Sequence, residues 1–194
     1  MPCNGTQRYI WKSQSWVKDH EGDMRAEVGD ATYQKLVRGI AYLQSSALVN
    51  ELSNIEVTGT FISYRKSLLN WCPIGRDSAE IERNAFIEKD LKNDLRKKLI
   101  SHLRENMSKI DLEKFEIALG GNTSIDIYPR GWNKTYSLNY YNDHKCWFVG
   151  DRCEKGGNDE AIYNRLLPLK TAFSVESPQD TVQIILNNII PAIS

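Results

Sequence analysis

The stretch GTFISYRKSLLNWCPIGR, residues 59–76, sets two apolar runs on either side of a short polar turn at Lys66. Residues 59–65 are rich in β-branched and aromatic side chains and predict a strand. Residues 68–72 predict a second strand that returns beside the first. Pro73 ends the pattern, because proline has no N–H to donate to a neighbouring strand. The stretch therefore predicts a β-hairpin followed by a loop.

A second hairpin is predicted further along the chain. Residues 115–119 and 124–128 both alternate apolar and polar side chains. The intervening Gly120-Gly121-Asn122 contains the residue types that tight turns require. The same face of the second strand would carry Ser124 and Asp126, because side chains two residues apart point the same way.

Helical spacing of apolar residues precedes each hairpin. The first helix is predicted to begin with Asp30 as its N-cap and to end before Ile55. The second is predicted as one helix that starts near Asp77 or Ser78 and continues to about Leu103. Its apolar positions are Ile81, Phe86, Leu91, Leu95, Leu99 and Leu103. This order of helices and hairpins predicts an α+β layer, with the helices on one face of an antiparallel sheet.

The end of the chain has a different pattern. Residues 146–149 form a short apolar run that predicts a buried strand, and residues 173–175 predict another. Ser177 is a good N-cap for a helix that has Pro178 at its first position. Strands followed by helices in this way indicate a parallel α/β sheet.

The composition narrows the class of protein. The chain has 194 residues, and its 25 basic side chains balance 25 acidic ones, so no strong field favours nucleic acid or an acidic membrane surface. No apolar stretch is long enough to span a bilayer, and residues 1–20 lack the pattern of a signal peptide. The four cysteines are scattered without metal-ligand spacing, which favours reduced thiols and a cytoplasmic protein.

Three arginines lie around the first hairpin and the helix after it. They are Arg65 at the end of a predicted strand, Arg76 in the following loop and Arg83 early in the helix. A guanidinium suits phosphate because its planar fork offers paired donors and keeps its charge. These residues are candidates for a phosphate clamp, and the alternative is that they are ordinary surface arginines.

Two further polar groups are candidates for a site. Ser124 and Asp126 could bind sugar hydroxyls, or they could form the solvated face of a half-buried strand. Asp151 and Asp159 lie in a glycine-rich loop after a predicted strand, where open α/β sheets bind ligands. Carboxylate oxygens suit magnesium, although the same loop could be a plain surface turn.

Longer motifs give a resemblance. The strings GTFISYRKSLLNWCPIGR, EIERNAF, GGNTSIDIYPRGWNKTY, FVGDRCEKGGNDEAIY and FSVESPQDT resemble, in this order, the eukaryotic-type phosphomannomutases of the haloacid dehalogenase (HAD) superfamily. The resemblance runs from about residue 3 to the C-terminus. It implies an α/β protein with a HAD-like Rossmannoid core, incomplete here, and an inserted α+β cap of antiparallel sheet plus helices. Residues 1–20 would be a remnant of the core, 21–130 the cap and 131–194 the C-terminal part of the core.

The resemblance also implies an activity and its residues. Such enzymes interconvert mannose 6-phosphate and mannose 1-phosphate for GDP-mannose synthesis, with Mg²⁺ and a sugar bisphosphate activator. By resemblance, Arg65, Arg76 and Arg83 bind substrate phosphate, and Ser124 and Asp126 bind the sugar phosphate. Lys134 would steady the nucleophile and the phosphoryl group, and Asp151 and Asp159 would hold magnesium. The cap would bind substrate and pair into a homodimer.

Two departures from the family pattern bear on activity. The nucleophile of the family lies in an Asp-x-Asp-Gly-Thr motif, which these 194 residues do not contain. The expectation is that the motif belongs to a segment before Met1 or to a separate chain, so that this chain alone is inactive. The second departure is Tyr163-Asn164-Arg165, where a basic residue replaces a carboxylate that helps to hold another cation.

Other functions are open on the sequence alone. The chain could be a catalytically inactive module for sugar-phosphate binding or dimerisation, or a HAD sugar phosphatase. The residues named for substrate do not separate mannose from glucose phosphates, because they bind phosphate and shared hydroxyls. No nucleic-acid or membrane partner is expected.

Overall fold

The computed structural model describes residues 3–193, with only the backbone of Cys3. Met1 and Pro2, the start of the expected core remnant, and the thiol of Cys3, expected to be reduced, lie outside the described residues. The described chain divides into two compact units. The central unit is His20–Gly131, and the terminal unit combines residues 3–19 with residues 132–193. The mixed α/β architecture is confirmed, whereas the assignment of these units to a cap and an incomplete core stays a prediction.

The central unit contains helices and an antiparallel sheet. Its helices are α1 Met24–Val28, α2 Asp30–Val49, α3 Glu80–Asn93, α4 Leu95–Asn106 and α5 Lys109–Leu112. Its strands are β3 Ile62–Tyr64, β4 Leu69–Trp71, β5 Phe115–Gly120 and β6 Ser124–Pro129. They form a sheet in the order β3-β4-β6-β5, and every neighbouring pair is antiparallel. Both predicted hairpins are therefore confirmed, with shorter strands in the first.

One face of this sheet packs on the helices. Trp71 lies opposite Ile125 across β4 and β6, and both side chains are fully buried. They join a continuous apolar core with side chains from α2 and α4, such as Leu36, Ile40 and Leu103. Burying an aliphatic side chain of this size stabilises a fold by about 1.5–3 kcal/mol. The alternation along β4 and β6 leaves their polar side chains on the opposite face.

Two helix predictions are wrong in detail. Gly29, not Asp30, is the N-cap of α2, and Asp30 is the first helical residue, where it accepts hydrogen bonds from Arg25. The predicted long second helix is broken at Asp94, whose φ of 53° and ψ of 41° are left-handed. The helix N-terminal to this break exposes Ile81 and Leu91, which were expected to face the core.

The terminal unit is built around a parallel strand pair. A two-stranded sheet of β1 Gln7–Lys12 and β2 Ser15–Glu21 comes first, with the last two residues of β2 counted in the central unit. A 3₁₀ helix, Lys134–Tyr140, leads to β7 Phe148–Gly150, which pairs in parallel with β8 Ala172–Ser174. The helices are α6 Glu160–Leu166, α7 Pro178–Ile184 and α8 Ile190–Ile193, with a π-helical turn, Ile185–Ile189, before α8.

The predicted parallel pairing and the helix start at Ser177 are confirmed. Ser177 caps α7 in a capping box with Asp180, and Pro178 occupies the first turn. The first strand lies two residues later than expected, and it is half-buried rather than buried. It pairs with a single described neighbour, β8, so less of its surface is covered.

The C-terminal helical segment has little cover within the terminal unit. None of the described residues from Pro178 to Ile193 is buried. Several of its aliphatic side chains are more than a third exposed, namely Val182, Ile185, Leu186, Ile190 and Ile193. Within the described part of the chain, no helix combines the length and the apolar character needed to cross a membrane.

Candidate functional site

The exposed face of the central sheet carries the first group of polar residues. Asp126 lies between Ile125 and Ile127, which are buried in the core, so its side chain emerges on the other face. Ser124 and Asp126 are both half-buried. Asn70 on β4 lies directly opposite Asp126 in the antiparallel register, and Ser63 on β3 lies opposite Asn70. The alternation predicted for β6 therefore places Ser124 and Asp126 on one face.

Asn70 joins Asp126 to one of the predicted arginines. Its amide Nδ2 donates to Asp126 Oδ1 at 2.6 Å. Its carbonyl Oδ1 accepts from Arg76 Nη1 at 2.7 Å. Asn70 is only 2% exposed, whereas Arg76 is exposed, so a buried amide connects a half-buried carboxylate to a surface cation. Sequence reasoning missed Asn70, and only the register of β4 against β6 identifies its partner.

Gly120 at the end of β5 lies close to the side chains of Asp126 and Ser124. A Cβ atom on Gly120 would lie 2.7 Å from Asp126 Cγ, far inside a normal contact distance. Gly120 is also the register partner of Ser124, whose hydroxyl donates to the Gly120 carbonyl at 2.7 Å. The glycine is therefore required at this position by the close approach of the Asp126 side chain.

Arg83 makes its hydrogen bonds within the central unit. Its Nε donates to the Ser78 carbonyl at 2.9 Å, and its Nη1 donates to Thr123 Oγ1 at 3.3 Å. Its Nη2 donates to the carbonyl of Arg76. These bonds tie the loop that carries Arg76 to the turn that precedes β6. Arg83, which was predicted to bind phosphate, thus donates hydrogen bonds to the loop that carries Arg76.

Arg65 lies at the turn of the first hairpin. Its N–H donates to the Leu68 carbonyl at 2.9 Å and so closes the turn. Its half-buried side chain makes no hydrogen bond or ion pair with the described residues. The guanidinium of Arg65 is therefore available to a ligand. Asn70 connects Asp126 to Arg76 and not to Arg65.

A buried ion pair supports the turn between β5 and β6. Arg96 Nε lies 2.7 Å from Asp90 Oδ2, and both side chains are about one tenth exposed. Arg96 Nη1 also donates to the carbonyls of Gly121 and Ser124, at 2.9 and 3.2 Å. Arg96 lies among the dense charges of α4, and the helical spacing of apolar residues gives no sign that this charge is buried.

Tyr128 lies on the same face of β6 as Ser124 and Asp126. Burial of its phenol, followed by the negative charges of Glu116 and Asp126, raises its pKa to about 12. The hydroxyl is therefore protonated at neutral pH. It can donate a hydrogen bond to a ligand, and it adds no negative charge beside Asp126.

The terminal unit holds the other predicted residues around one cavity. Lys134, Asp151 and Asp159 all line a cavity of about 480 Å³. Asp151 is exposed and directly follows β7, at the carboxyl end of this parallel strand. Lys134 Nζ forms an ion pair with Asp159 Oδ1, and Asp159 is 2% exposed. The Arg152 N–H donates to the other oxygen, Asp159 Oδ2, at 3.3 Å.

Magnesium fits this donor set only as a strongly hydrated ion. Among the described residues, no group of three or more His, Cys, Asp or Glu side chains could hold a metal. Asp151 offers a carboxylate that no described side chain binds, whereas both oxygens of Asp159 already accept hydrogen bonds. Mg²⁺ commonly takes one or two carboxylates and completes its shell with water and phosphate oxygens. The set therefore suits Mg²⁺ that arrives with water or with a phosphorylated ligand.

Arg165 has a partner of its own. Its Nε and Nη2 donate to the two carboxylate oxygens of Asp143, at 2.7 and 3.2 Å. This fork-shaped pairing satisfies both oxygens of the Asp143 carboxylate. A second cation next to Arg165 would have to compete with this ion pair.

Comparisons with known proteins identify relatives. A family model described as eukaryotic phosphomannomutase matches residues 3–191. Phosphomannomutase from Drosophila melanogaster is 38% identical over 141 residues, which cover 69% of this chain and 54% of that protein. Phosphomannomutase from Arabidopsis thaliana is 41% identical over 125 residues, or 64% of this chain and 49% of that protein. The chain spans about half the length of the curated relatives it matches.

A solved structure gives a weaker likeness. The N-terminally truncated, IMP-bound IMP-nucleotidase from Plasmodium falciparum aligns with a TM-score of 0.44 at 13% identity. The alignment covers 91% of this chain and 44% of that one. The family match, in contrast, extends over nearly all of the sequence. This chain belongs to the eukaryotic phosphomannomutase family.

Proposed function

We propose that this chain carries the substrate-holding and magnesium-holding parts of a phosphomannomutase, an isomerase that converts mannose 6-phosphate to mannose 1-phosphate for GDP-mannose synthesis. The central unit is then the inserted cap, and the terminal unit is part of a HAD-like core that further sequence completes. The observation that carries the proposal is the convergence of Lys134, Asp151 and Asp159 on one cavity, in a chain that matches the family from residue 3 to residue 191.

The central unit binds the sugar phosphate in this proposal. Arg76 is exposed and retains guanidinium donors beyond the one bound to Asn70, and Arg65 retains all of its own. These two side chains bind the phosphate of the substrate, and Arg83 holds the loop that carries Arg76. Asp126 and Ser124 accept hydrogen bonds from sugar hydroxyls.

The terminal unit provides the charges for phosphoryl transfer. Asp151 and Asp159 would hold Mg²⁺, which would supply positive charge beside the phosphoryl group. Lys134, kept in place by Asp159, offers its ammonium to the same group. A sugar bisphosphate is the proposed activator, since Arg65, Arg76 and Lys134 can donate hydrogen bonds to a phosphate at either end of the sugar.

The nucleophile is proposed to come from outside these residues. The sequence contains no Asp-x-Asp-Gly-Thr motif, so the aspartate that accepts the phosphoryl group belongs to a segment beyond the 194 residues, on the same or on a separate chain. The chain alone is therefore inactive. Pairing into a homodimer through the central unit and a cytoplasmic location belong to the same proposal, and the free thiols of Cys72, Cys146 and Cys153 support that location.

Calorimetric titration tests the binding half of the proposal. The unaltered chain should bind mannose 6-phosphate in the presence of Mg²⁺. R76A should weaken that binding about tenfold or more, because it removes a charge-assisted hydrogen bond to phosphate. Arg38, an exposed arginine on α2, provides the matched control R38A, which should bind like the unaltered chain. Equal affinity of R76A and R38A would contradict the assignment.

A magnesium titration tests the terminal unit separately. The unaltered chain should bind Mg²⁺ weakly without ligand, and D151N should weaken the binding further, because the variant loses the free carboxylate. The control is D77N, which removes an exposed carboxylate from the central unit. If D151N and D77N bind Mg²⁺ with the same affinity, Asp151 is not a metal ligand.

Absence of the motif also favours a second candidate, a sugar-phosphate-binding module without catalysis. A coupled mutase assay on the chain alone should show no turnover under either hypothesis. Supplying the remaining sequence of a phosphomannomutase in trans separates them, because a catalytic partner should restore turnover and a pure binding module should stay silent. Turnover by the chain alone would show that the nucleophile assignment is wrong.

A further inference from the structure

We infer that Asn70 is a positioning residue, which fixes the Asp126 carboxylate and the Arg76 guanidinium in one arrangement for a sugar phosphate. The inference rests on the proposed function, because it assigns Asp126 and Arg76 to the same ligand. It adds a residue that contacts neither the phosphate nor the sugar. Its role is to hold the two groups that do.

The chemistry of the three groups allows only one orientation of the amide. An arginine side chain has donors only, and an ionised carboxylate has acceptors only. The carbonyl of Asn70 must therefore face Arg76 and the NH₂ must face Asp126, as the 2.7 and 2.6 Å distances have it. An inverted amide would bring two donors together at Arg76 and two acceptors together at Asp126.

The surroundings of Asn70 keep this arrangement in place. Asn70 lies at the middle of β4, between Leu69 and Trp71, which are both buried in the core. β4 is paired on both sides, with Ser63 opposite Asn70 on one side and Asp126 opposite it on the other. A side chain that is 2% exposed on a doubly paired strand has little freedom to rotate.

The partners of Asn70 keep capacity for a ligand. Asp126 is half-buried, and Oδ2 makes no hydrogen bond with the described residues. Arg76 is exposed and uses one of its five N–H groups on Asn70. A ligand that presents a hydroxyl to Asp126 and a phosphate to Arg76 therefore meets two groups whose separation Asn70 has already set. A preorganised pair of this kind binds more tightly, because less ordering accompanies binding.

Substitution by aspartate distinguishes a positioning role from simple packing. N70D keeps the size of the side chain, but at neutral pH it brings a second carboxylate against Asp126. At lower pH the two carboxylates share a proton, because like charges in contact raise one of their pKa values. A protonated Asp at position 70 again donates to Asp126 and accepts from Arg76, as the amide did. Binding by N70D should therefore recover on acidification.

The experiment measures mannose 6-phosphate binding by calorimetry at pH 7.5 and pH 5, with thermal unfolding of each variant as a check of folding. We expect N70A to weaken binding about tenfold. We expect the ratio of the unaltered affinity to the N70D affinity to fall about tenfold between pH 7.5 and pH 5. The phosphate of the ligand titrates equally in both measurements and cancels in that ratio. N84D, at an exposed asparagine on α3, adds the same charge and should show no such change.

The outcomes separate this inference from the proposed function. If the unaltered chain does not bind the sugar phosphate, the proposed function fails and the inference falls with it. If it binds, and the N70D ratio is the same at both pH values, the inference alone is overturned. Should N70A fail to fold, the isosteric N70D still decides the question.

Discussion

Arg96 binds the carboxylate of Asp90 across the break between α3 and α4, and the same guanidinium reaches the carbonyls of Gly121 and Ser124. The Arg96 N–H also donates to Asp90 Oδ1 at 2.8 Å. One side chain on α4 therefore fixes both the helix break and the turn that delivers Ser124 to the polar face of the sheet. The stability of this part of the fold should depend strongly on that pair.

The first prediction is that R96A destabilises the chain severely. Removing one partner of a buried ion pair leaves an uncompensated charge, at a cost of about 3–5 kcal/mol. Urea unfolding, followed by far-UV circular dichroism, should show a fall of that size. The control is K97A, which removes an exposed pair with Asp94 and should change the stability far less than R96A does. Similar losses for both variants would contradict a buried structural role for Arg96.

The second prediction concerns Gly120. G120A should weaken both folding and sugar-phosphate binding, because a Cβ there would lie 2.7 Å from Asp126 Cγ and displace that carboxylate. G39A is a suitable control, since Gly39 is inside α2 and its added Cβ would meet Leu103 Cδ1 at 3.4 Å. Alanine in a helix interior is favoured over glycine by about 1 kcal/mol, so G39A should be neutral or stabilising. Calorimetry and thermal unfolding of both variants measure the difference.

The third prediction is a pH dependence at Asp111. Lys35, followed by Ser108, lowers the pKa of this buried carboxyl through hydrogen bonds of 2.9 and 2.7 Å. A lowered folded-state pKa gives stability that is present above the unfolded value of about 3.9 and is lost as the pH falls through the folded value. D111N should therefore be less stable than the unaltered chain at pH 7, and the two should converge towards pH 2.

Thermal unfolding at pH 7, 5, 4, 3 and 2 measures this convergence. The control is D77N, which removes an exposed carboxylate and should lose less stability at pH 7 than D111N does. A constant difference between D111N and the unaltered chain across the whole range would show that the charge of Asp111 does not contribute.

The fourth prediction concerns local stability. The central unit has the larger buried core, which joins its helices to the sheet, whereas the described core of the terminal unit is Leu138, Ile162, Leu166 and Ala172. Amide hydrogens in β4 and β6 should therefore exchange more slowly than those in β7 and β8. Hydrogen exchange followed by mass spectrometry on the isolated chain resolves the two units. Equal protection in both would contradict the prediction.

The hairpins and the last helix start could be predicted because their causes are local. Alternation and a Gly-Gly-Asn turn define the second hairpin. The capping box of α7 is formed by Ser177 and Asp180, which lie within four residues. The break at Asp94 could not be found in the same way. Leu91 and Leu95 are four residues apart and continue a helical pattern, although Leu91 is 80% exposed and Leu95 is 4% exposed.

The candidate site was also predictable only in part, because some of its contacts join residues that are far apart in the sequence. Ser124 and Asp126 follow from strand alternation, and Asp151 and Asp159 follow from a glycine-rich loop after a strand. Lys134 followed from the family resemblance alone. Asn70 and Arg96 depend on partners that are 56 and 25 residues away along the chain. A buried polar residue is recognised by the group that satisfies it, and that group is known only once the strand register is known.

The aliphatic side chains that α7 and α8 present to water make the solution behaviour of the chain depend on temperature and cosolvent. Attraction between apolar surfaces weakens on cooling and strengthens in sulfate or other solutes that proteins exclude. The chain should therefore stay dispersed best when it is cold and in low sulfate, and it should precipitate early in a salting-out series. Chilled, sulfate-free buffers are the conditions in which to purify it and to measure its ligands.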